Sequence, residues 1–222
     1  MYHCLQRDFL FATADNIRGA GLERYMGRLF YIMGKSASGK DTLYRMLAGD
    51  DSLSLKIVVP YTTRPIRQGE CEGEAYHFVD KTDLDRMMEE GKVIESRCYH
   101  TIHGDWYYFT PDDGQIDLNA GSYLMIGTLE SYEKTRNYLG KENVVPIYVE
   151  VEDGERLQRA LNRERIQENP KYREMCRRFL ADAEDFNEEN LKRLDINQRF
   201  CNDNMDACLD KIRTCIREYQ RY

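Results

Sequence analysis

The sequence lacks the features that mark membrane, repeat and disulfide-bonded proteins. It has no apolar run near the ~20 residues that a membrane-spanning helix needs, no internal repeat and no low-complexity segment. Its seven cysteines include no Cys-x-x-Cys pair, which argues against a zinc ribbon. These absences favour a cytoplasmic protein with free thiols, and we expect no membrane partner.

Positive charge is also in short supply. The chain carries 32 lysines and arginines against 39 aspartates and glutamates, for a net charge of −7 at pH 7. Nucleic acids are held by net positive faces, so we expect no nucleic-acid partner. A small anionic ligand needs only a local basic pocket, and that class of ligand is not excluded.

The first 27 residues are not typical of a secretory signal, because the apolar run FLFA is short and no cleavage pattern follows it. We interpret residues 1–27 as an extension, either disordered or the product of an upstream start codon. Residues 28–222 are predicted to form one domain.

Three cysteines near the C-terminus recur every seven residues, which raises the question of a metal site. We favour a different interpretation, in which they belong to one apolar helix stripe. The predicted stripe contains Cys201, Met205, Cys208, Leu209, Ile212, Cys215, Ile216 and Tyr219.

Strand and helix patterns alternate along most of the chain. Apolar strands are predicted at 29–33, 55–59, 123–127, 144–151 and 199–202, and helices at 129–139, 154–168, 171–189 and 204–220. This alternation predicts an α/β fold with a parallel sheet flanked by helices. Two regions interrupt this alternation of strands and helices. Residues 61–111 are predicted to form a small insert, and residues 155–178 form a basic helical region.

A glycine-rich segment, 34-GKSASGKDT-42, follows the first strand and precedes a helical pattern. This context is typical of a phosphate-binding loop, in which backbone N–H groups and a helix N-terminus surround phosphate oxygens. Lys40 is expected to reach the β- and γ-phosphates of ATP. The pattern ends in Asp41 where Ser or Thr is usual. The predicted ATP-binding residues are Gly34, Lys35, Ser36, Ala37, Ser38, Gly39, Lys40, Asp41 and Thr42.

A second segment, 62-TTRPIRQGECEGEAYHF-78, places two arginines three residues apart, with a tyrosine further on. The planar fork of arginine matches phosphate oxygens, so Arg64, Arg67 and Tyr76 could clamp a monophosphate. A solvated loop would explain the same residues.

The order of phosphate loop, TTRxxRxGE and 76-YHFV-79 resembles the guanylate kinase family over residues 28–220. The resemblance implies a P-loop NTPase-type sheet with an NMP-binding insert, about 61–111, and a helical lid, about 155–178. It also implies transfer of the γ-phosphate of ATP to GMP or dGMP with Mg²⁺.

The resemblance also implies roles for individual residues. Arg64, Arg67, Glu70, Tyr76 and Tyr108 would belong to the GMP phosphate site. Glu95 and Thr110 would read guanine. Arg163 and Arg178 would close from the lid onto the transferring phosphoryl group, and Asn202 would lie near adenine. The catalytic set would be Lys40, Arg64, Arg163 and Arg178.

This sequence departs from the family pattern at several positions. Pro60 and Ala75 replace a serine and an aspartate, and Gly127 and Leu129 replace an acidic strand end. We therefore expect Asp41 to supply the missing negative charge toward Mg²⁺. The alternative is that Asp41 caps the helix while Thr42 faces the metal.

Two other functions stay open at this stage. One is a related small-molecule kinase such as ribose bisphosphate phosphokinase. The other is a non-catalytic guanylate kinase-like binding module. For the enzyme, the expected partners are ATP and a nucleoside monophosphate, and the chain is expected to be a monomer or a homodimer.

Overall fold

The computed structural model describes residues 26–101 and 104–221. The interpretation of the N-terminal extension therefore lies almost wholly outside the described residues. In chain order, the strands are β1 (Leu29–Met33), β2 (Lys56–Ile57), β3 (Tyr61–Thr62), β4 (His77–Phe78), β5 (Val93–Thr101), β6 (Gly104–Pro111), β7 (Tyr123–Ile126), β8 (Val144–Glu150) and β9 (Arg199–Cys201). The helices are α1 (Lys40–Ala48), α2 (Lys81–Glu89), α3 (Leu129–Leu139), α4 (Asp153–Arg165), α5 (Tyr172–Asp185), α6 (Glu188–Arg193) and α7 (Met205–Tyr219).

The central sheet has five strands in the order β2-β7-β1-β8-β9, and every neighbouring pair is parallel. In the middle strand, Leu29 pairs with Tyr123 on one side and Val144 on the other. The predicted α/β fold with a parallel sheet flanked by helices is confirmed. None of the helices in the described part of the chain has the length and apolar character needed to cross a bilayer.

β1 is buried on both faces, which explains its unbroken apolar run LFYIM. Phe30 and Ile32 point into a core cluster that also contains Leu43 of α1 and Ile212 of α7. Leu29, Tyr31 and Met33 point the other way, into a cluster with Tyr132 of α3 and Leu191 of α6. Alternate residues of one strand therefore belong to two different cores.

Residues 61–111 form a second sheet, in the order β4-β3-β6-β5, beside α2. Its longest pairing is the antiparallel hairpin of β5 and β6. Lys134 of α3 joins this sheet to the central domain by donating to the Ser96 carbonyl at 2.8 Å. The assignment of this region as an NMP-binding insert, and of 155–178 as a lid, remains a prediction.

Two local expectations are corrected by the structure. The helix expected over 171–189 ends at Asp185, and a new helix begins at Glu188 because the Asn187 side chain accepts from the Asn190 N–H at 2.8 Å and caps it. Cys208 and Cys215 lie buried on α7 as predicted. Cys201, however, is exposed at the end of β9 and does not belong to the helix stripe.

Gly127 follows β7 and lies directly against Tyr31. A Cβ atom at this position would overlap the Tyr31 hydroxyl oxygen and lie 2.9 Å from Tyr31 Cζ. The hydroxyl is held in place because it donates to Ser131 Oγ at 2.7 Å. Tyr31 therefore fills the space that a side chain at the end of β7 would need.

We expect Gly127→Ala to lower the free energy of unfolding by about 1–3 kcal/mol, because the added methyl group overpacks a buried site. Urea unfolding measures the change. Tyr31→Phe in the same chain removes the overlapping oxygen, so the double variant should lose less than the sum of the two single changes.

Gly49→Ala is the matched control, since a Cβ there meets only the Arg45 carbonyl oxygen at 3.5 Å. Equal destabilisation by Gly127→Ala and Gly49→Ala would contradict the steric account.

Candidate active site

The glycine-rich loop joins β1 to α1 and is braced by a residue far along the chain. Asn202, buried just after β9, donates from Nδ2 to the Ser38 carbonyl at 2.8 Å. Gly39 has a left-handed φ of 87°, and a Cβ there would overlap Asn202 Nδ2. Glycine is therefore required at position 39 both by the left-handed turn and by the close contact with Asn202. The expected contact of Asn202 with adenine stays a prediction, because the structure shows its side chain turned to the loop.

The loop offers polar groups that suit an anion. The backbone N–H groups of Ala37, Gly39, Lys40 and Asp41 donate to no acceptor among the described residues. The Ser38 hydroxyl is buried and has no partner there either. Donors at a helix N-terminus carry partial positive charge, so a phosphate group would satisfy them. The residues present thus fit the triphosphate of ATP.

Lys40 and Asp41 contact each other at the start of α1. Lys40 Nζ lies 3.1 Å from Asp41 Oδ2, and the Asp41 side chain is 76% exposed. The N-cap of α1 is Gly39, and no side chain caps the helix. A hydrogen-bonding cap by Asp41, one of the two sequence hypotheses, is thus absent from this structure. Both Asp41 and Thr42 are exposed, so either oxygen is available to a hard cation such as Mg²⁺.

An aspartate from α5 already occupies one donor of the loop. The Ser36 N–H donates to Asp182 Oδ2 at 2.8 Å. Arg156 of α4 holds the same carboxylate at 3.1 Å and also donates to the Ser36 carbonyl at 3.2 Å. Arg156 is almost wholly buried, with Phe179 packed against its guanidinium at 4.1 Å. The helical pair α4 and α5 is thereby attached to the loop through an anionic oxygen.

The two predicted lid arginines line one cavity beside the loop. Arg163 from α4 and Arg178 from α5 lie around a space of about 120 Å³ together with Ser36 and Lys171. Neither arginine forms a salt bridge within residues 26–101 and 104–221. The cavity is therefore rich in available positive charge, as a site for phosphoryl oxygens requires.

Arg64 is the most constrained residue of the predicted clamp. Its Nη1 and Nη2 atoms hold the two oxygens of Glu70 at 2.7 and 2.6 Å, and its Nε donates to the Tyr108 hydroxyl at 3.2 Å. Nη1 also donates to the Pro65 carbonyl. Only 3% of Arg64 is exposed, and the ring of Tyr76 lies 5.3 Å from its guanidinium. The guanidinium orientation is thus set before any ligand binds.

The clamp nevertheless retains free donors. Four of the five N–H bonds of the Arg64 guanidinium are used, which leaves one on Nη2. The Tyr108 hydroxyl accepts from Arg64, so its own proton can be donated to an anion. The Arg67 and Tyr76 side chains have no hydrogen-bond partner in the described part of the chain. These groups together suit one phosphate.

Glu70 serves to position Arg64, since its carboxylate also accepts the Arg67 N–H at 2.8 Å. The Arg64 guanidinium lowers the pKa of Glu70 to about 2. A carboxyl whose folded pKa is depressed stabilises the fold above its ordinary pKa. That stabilisation is lost as the pH falls toward 2. At neutral pH the ion pair is therefore fully formed.

The residues predicted to read the base lie in a buried polar cluster of Glu95, Arg97 and Thr110, which we call the base box. Thr110 donates to Glu95 Oε1 at 2.9 Å across the β5–β6 pairing. Arg97, which sequence reasoning missed, donates from Nε to Glu95 Oε2 at 3.0 Å and from Nη1 to Thr128 Oγ1 at 3.3 Å. The Glu95 side chain is fully buried and that of Arg97 is 11% exposed. Burial of Tyr31 in the adjoining core raises its pKa, and the nearby Glu95 carboxylate raises it further.

Sequence reasoning missed three residues that hold the candidate site together, and the sequence signals for these residues differ in strength. Arg156 belongs to the basic helical run that the sequence singled out, but its neighbours Arg159, Arg163 and Arg165 look the same by pattern. Arg97 lies two residues after Glu95, so strand alternation could have placed it on the same face. Asp182 has no local signal, because its partner Ser36 is 146 residues away.

Comparison with known proteins finds guanylate kinases. The guanylate kinase family model matches residues 26–111. A guanylate kinase of Paraburkholderia xenovorans is 38% identical over 43% of this chain and 40% of its own length. One of Agrobacterium fabrum is 31% identical over 55% of this chain and 54% of its own. The chain therefore spans about half or less of these relatives.

The fold comparison extends further along the chain. The crystal structure of guanylate kinase from Anaplasma phagocytophilum superposes with a TM-score of 0.58 over 90% of this chain and 89% of that one, at 21% identity. Similarity at this level shows a shared fold. Over residues 26–111 the sequence of this chain is similar to the guanylate kinase family, and its fold is shared with a solved guanylate kinase.

Proposed function

We propose that the protein transfers the γ-phosphate of ATP to a nucleoside monophosphate, and that the acceptor is GMP or dGMP. The observation that carries this proposal is the hydrogen bond from Arg97 to Thr128, 3.3 Å long. Thr128 follows β7 and Gly34 follows β1, and the carboxyl ends of neighbouring parallel strands meet at one edge of a sheet. The base box thus borders the phosphate loop.

The loop residues 34–42 would bind ATP, with Lys40 directed at its terminal phosphates. Arg64, Arg67, Tyr76 and Tyr108 would hold the acceptor phosphate, oriented by Glu70. Arg163 and Arg178 would meet the phosphoryl group from the lid. Asp41 and Thr42 would hold Mg²⁺, which supplies positive charge against the phosphate oxygens when bound. The kinase would act in the cytoplasm, with small molecules as its partners.

Phosphoryl transfer needs positioning and positive charge more than a general base. The transition state spreads negative charge over the equatorial oxygens, which Lys40 and the lid arginines would face. Closure of α4 and α5 over the loop would keep water away from the phosphate. Asp182 would have to release the Ser36 amide if a phosphate oxygen takes its place.

Glu95 would select the base. Its carboxylate accepts hydrogen bonds from Thr110 and Arg97, which fix the orientation of the carboxylate before a guanine edge would reach it. A carboxylate pairs with the N–H donors of guanine, and adenine offers an acceptor at the corresponding ring nitrogen. No contact within the described residues favours ribose bisphosphate or a phosphopeptide over this acceptor.

We expect the wild-type protein with ATP and Mg²⁺ to prefer GMP and dGMP over AMP, CMP, UMP and ribose bisphosphate. Glu95→Gln should reduce kcat/KM for GMP selectively, because an amide leaves a guanine donor unpaired. A coupled ADP-release assay measures each acceptor.

Glu72→Gln is the matched control, since Glu72 lies in the same region on an exposed loop beside His77. If Glu95→Gln keeps the full GMP over AMP preference, the box does not read the base. If the wild-type protein phosphorylates ribose bisphosphate best, the proposed acceptor is wrong.

Arg64→Ala should lower kcat/KM for the acceptor by the equivalent of about 2–4 kcal/mol, because a charged, preoriented donor is lost. The KM for ATP should change little. Initial-rate kinetics with each substrate varied in turn separates the two effects. Arg64→Lys, which keeps the charge and loses the fork, should retain only part of the activity.

Arg86→Ala is the control for lost surface charge, since Arg86 lies exposed on α2. A melting curve for each variant shows whether the buried Arg64 position still folds. A folded Arg64→Ala protein with wild-type acceptor kinetics would refute the clamp assignment.

Asp41→Asn should raise the Mg²⁺ concentration for half-maximal rate on the order of tenfold, about 1.4 kcal/mol, if Asp41 supplies negative charge to the metal. Calorimetry should show the same weakening for binding of Mg²⁺–ATP and a smaller change for ATP alone.

Asp206→Asn is the matched control, because Asp206 holds the same second position in α7 that Asp41 holds in α1. If Asp41→Asn leaves the Mg²⁺ dependence of the rate unchanged and lowers the melting temperature only as much as Asp206→Asn does, the metal role is wrong. Asp41 would then act only through its interaction with the helix dipole.

A further inference from the structure

The β5–β6 hairpin has two faces with different chemistry. Arg97 pairs with Tyr108, and Tyr99 with Trp106. Arg97, Tyr99 and Tyr108 belong to the face of the base box and clamp, where the rings of Tyr99 and Tyr108 lie 5.4 Å apart. Because side chains alternate along a strand, the intervening pairs project from the opposite face.

The opposite face carries three side chains of types that commonly ligate metal ions. Cys98 pairs with Tyr107 in the ladder, and His100 pairs directly with Asp105. One ligand atom each from Cys98, His100 and Asp105 lies within 4.8 Å of the other two. His100 Nδ1 and Asp105 Oδ1 are already 2.7 Å apart. All three residues are exposed, so an ion could reach them from solvent.

We propose that Cys98, His100 and Asp105 form a binding site for a borderline divalent transition-metal ion of the Zn²⁺ class, distinct from the Mg²⁺ used with ATP. Sulfur and imidazole ligands select such ions over Mg²⁺ and Ca²⁺, which take oxygen. Three protein ligands leave a fourth tetrahedral position for water or an external ligand.

Binding of an ion requires side-chain rotations within this group. Bond lengths of about 2.3 Å to sulfur and 2.0 Å to nitrogen or oxygen place ligand atoms of a tetrahedral ion roughly 3.3–3.5 Å apart. The His100 and Asp105 ligand atoms, 2.7 Å apart, must separate, and the Cys98 thiol must turn from its contact with the Tyr107 hydroxyl toward the ion. On binding, the thiol releases its proton to solvent. The thiolate and carboxylate then balance the dication.

Such an ion would join β5 to β6 on the face behind the base box. Glu95 and Arg97 lie on one of the joined strands, and Tyr108 and Thr110 on the other. The site lies outside the proposed catalytic residues, so its existence does not depend on the proposed function.

The test uses the chelator-treated full chain with Zn²⁺ and with Co²⁺ as a spectroscopic probe. We expect one Zn²⁺ per chain by calorimetry, and a thiolate-to-cobalt charge-transfer band with Co²⁺. Cys98→Ser should abolish the band and weaken Zn²⁺ binding at least tenfold. His100→Gln and Asp105→Asn should also weaken binding while keeping the thiol.

Cys71→Ser is the matched control, because Cys71 is an exposed cysteine of the same region outside the cluster. It should leave both the band and the affinity unchanged. The proposal is overturned if the wild-type protein gives no thiolate band. It is equally overturned if Cys98→Ser, or the two folded variants of His100 and Asp105, bind Zn²⁺ as tightly as the wild-type protein.

Discussion

The complete burial of β1 is the constraint on which the rest of the molecule depends. A strand covered on both faces must be apolar throughout, and its polar chemistry can begin only where it ends. The glycine-rich loop begins at that end, after Met33. β7 and β8 run parallel to it on either side, so their carboxyl ends open at the same edge. The phosphate loop is built on that edge, and Thr128, which follows β7, joins the second sheet to the same edge through Arg97.

Each of the buried arginines of this acidic chain is paired with a carboxylate. Arg64, Arg97 and Arg156 each lie deep in the structure, and each has a carboxylate partner: Glu70, Glu95 and Asp182 respectively. A buried guanidinium without a partner would be costly, so these pairs keep the interior neutral and hold each fork in one orientation. Arg67, Arg163 and Arg178 are exposed and form no such pair among the described residues. In the proposed site, the paired arginines would be held in fixed orientations, and the unpaired ones would be available to phosphate oxygens.

Local sequence patterns predicted the parts of the site whose signal lies within a few residues. β1 and the loop follow from an apolar run and glycine spacing, and the clamp follows from Arg64, Arg67 and Glu70 in one segment. The contacts of Asp182 with Ser36 and of Arg97 with Thr128 could not be predicted, because they join residues 146 and 31 apart. Cys201 was misplaced for a related reason. Its seven-residue spacing to Cys208 spans a turn between β9 and α7, where helical periodicity does not apply.

The brace from Asn202 to Ser38 has a consequence for the order of events during synthesis. The loop leaves the ribosome before Asn202, because the side chain that fixes the loop follows Ser38 by 164 residues. β9, which carries Asn202 to the loop, is also the last of the described strands in chain order. A nascent chain that ends before β9 therefore has the complete phosphate-loop sequence without its support. The loop is therefore braced only after β9 has been made.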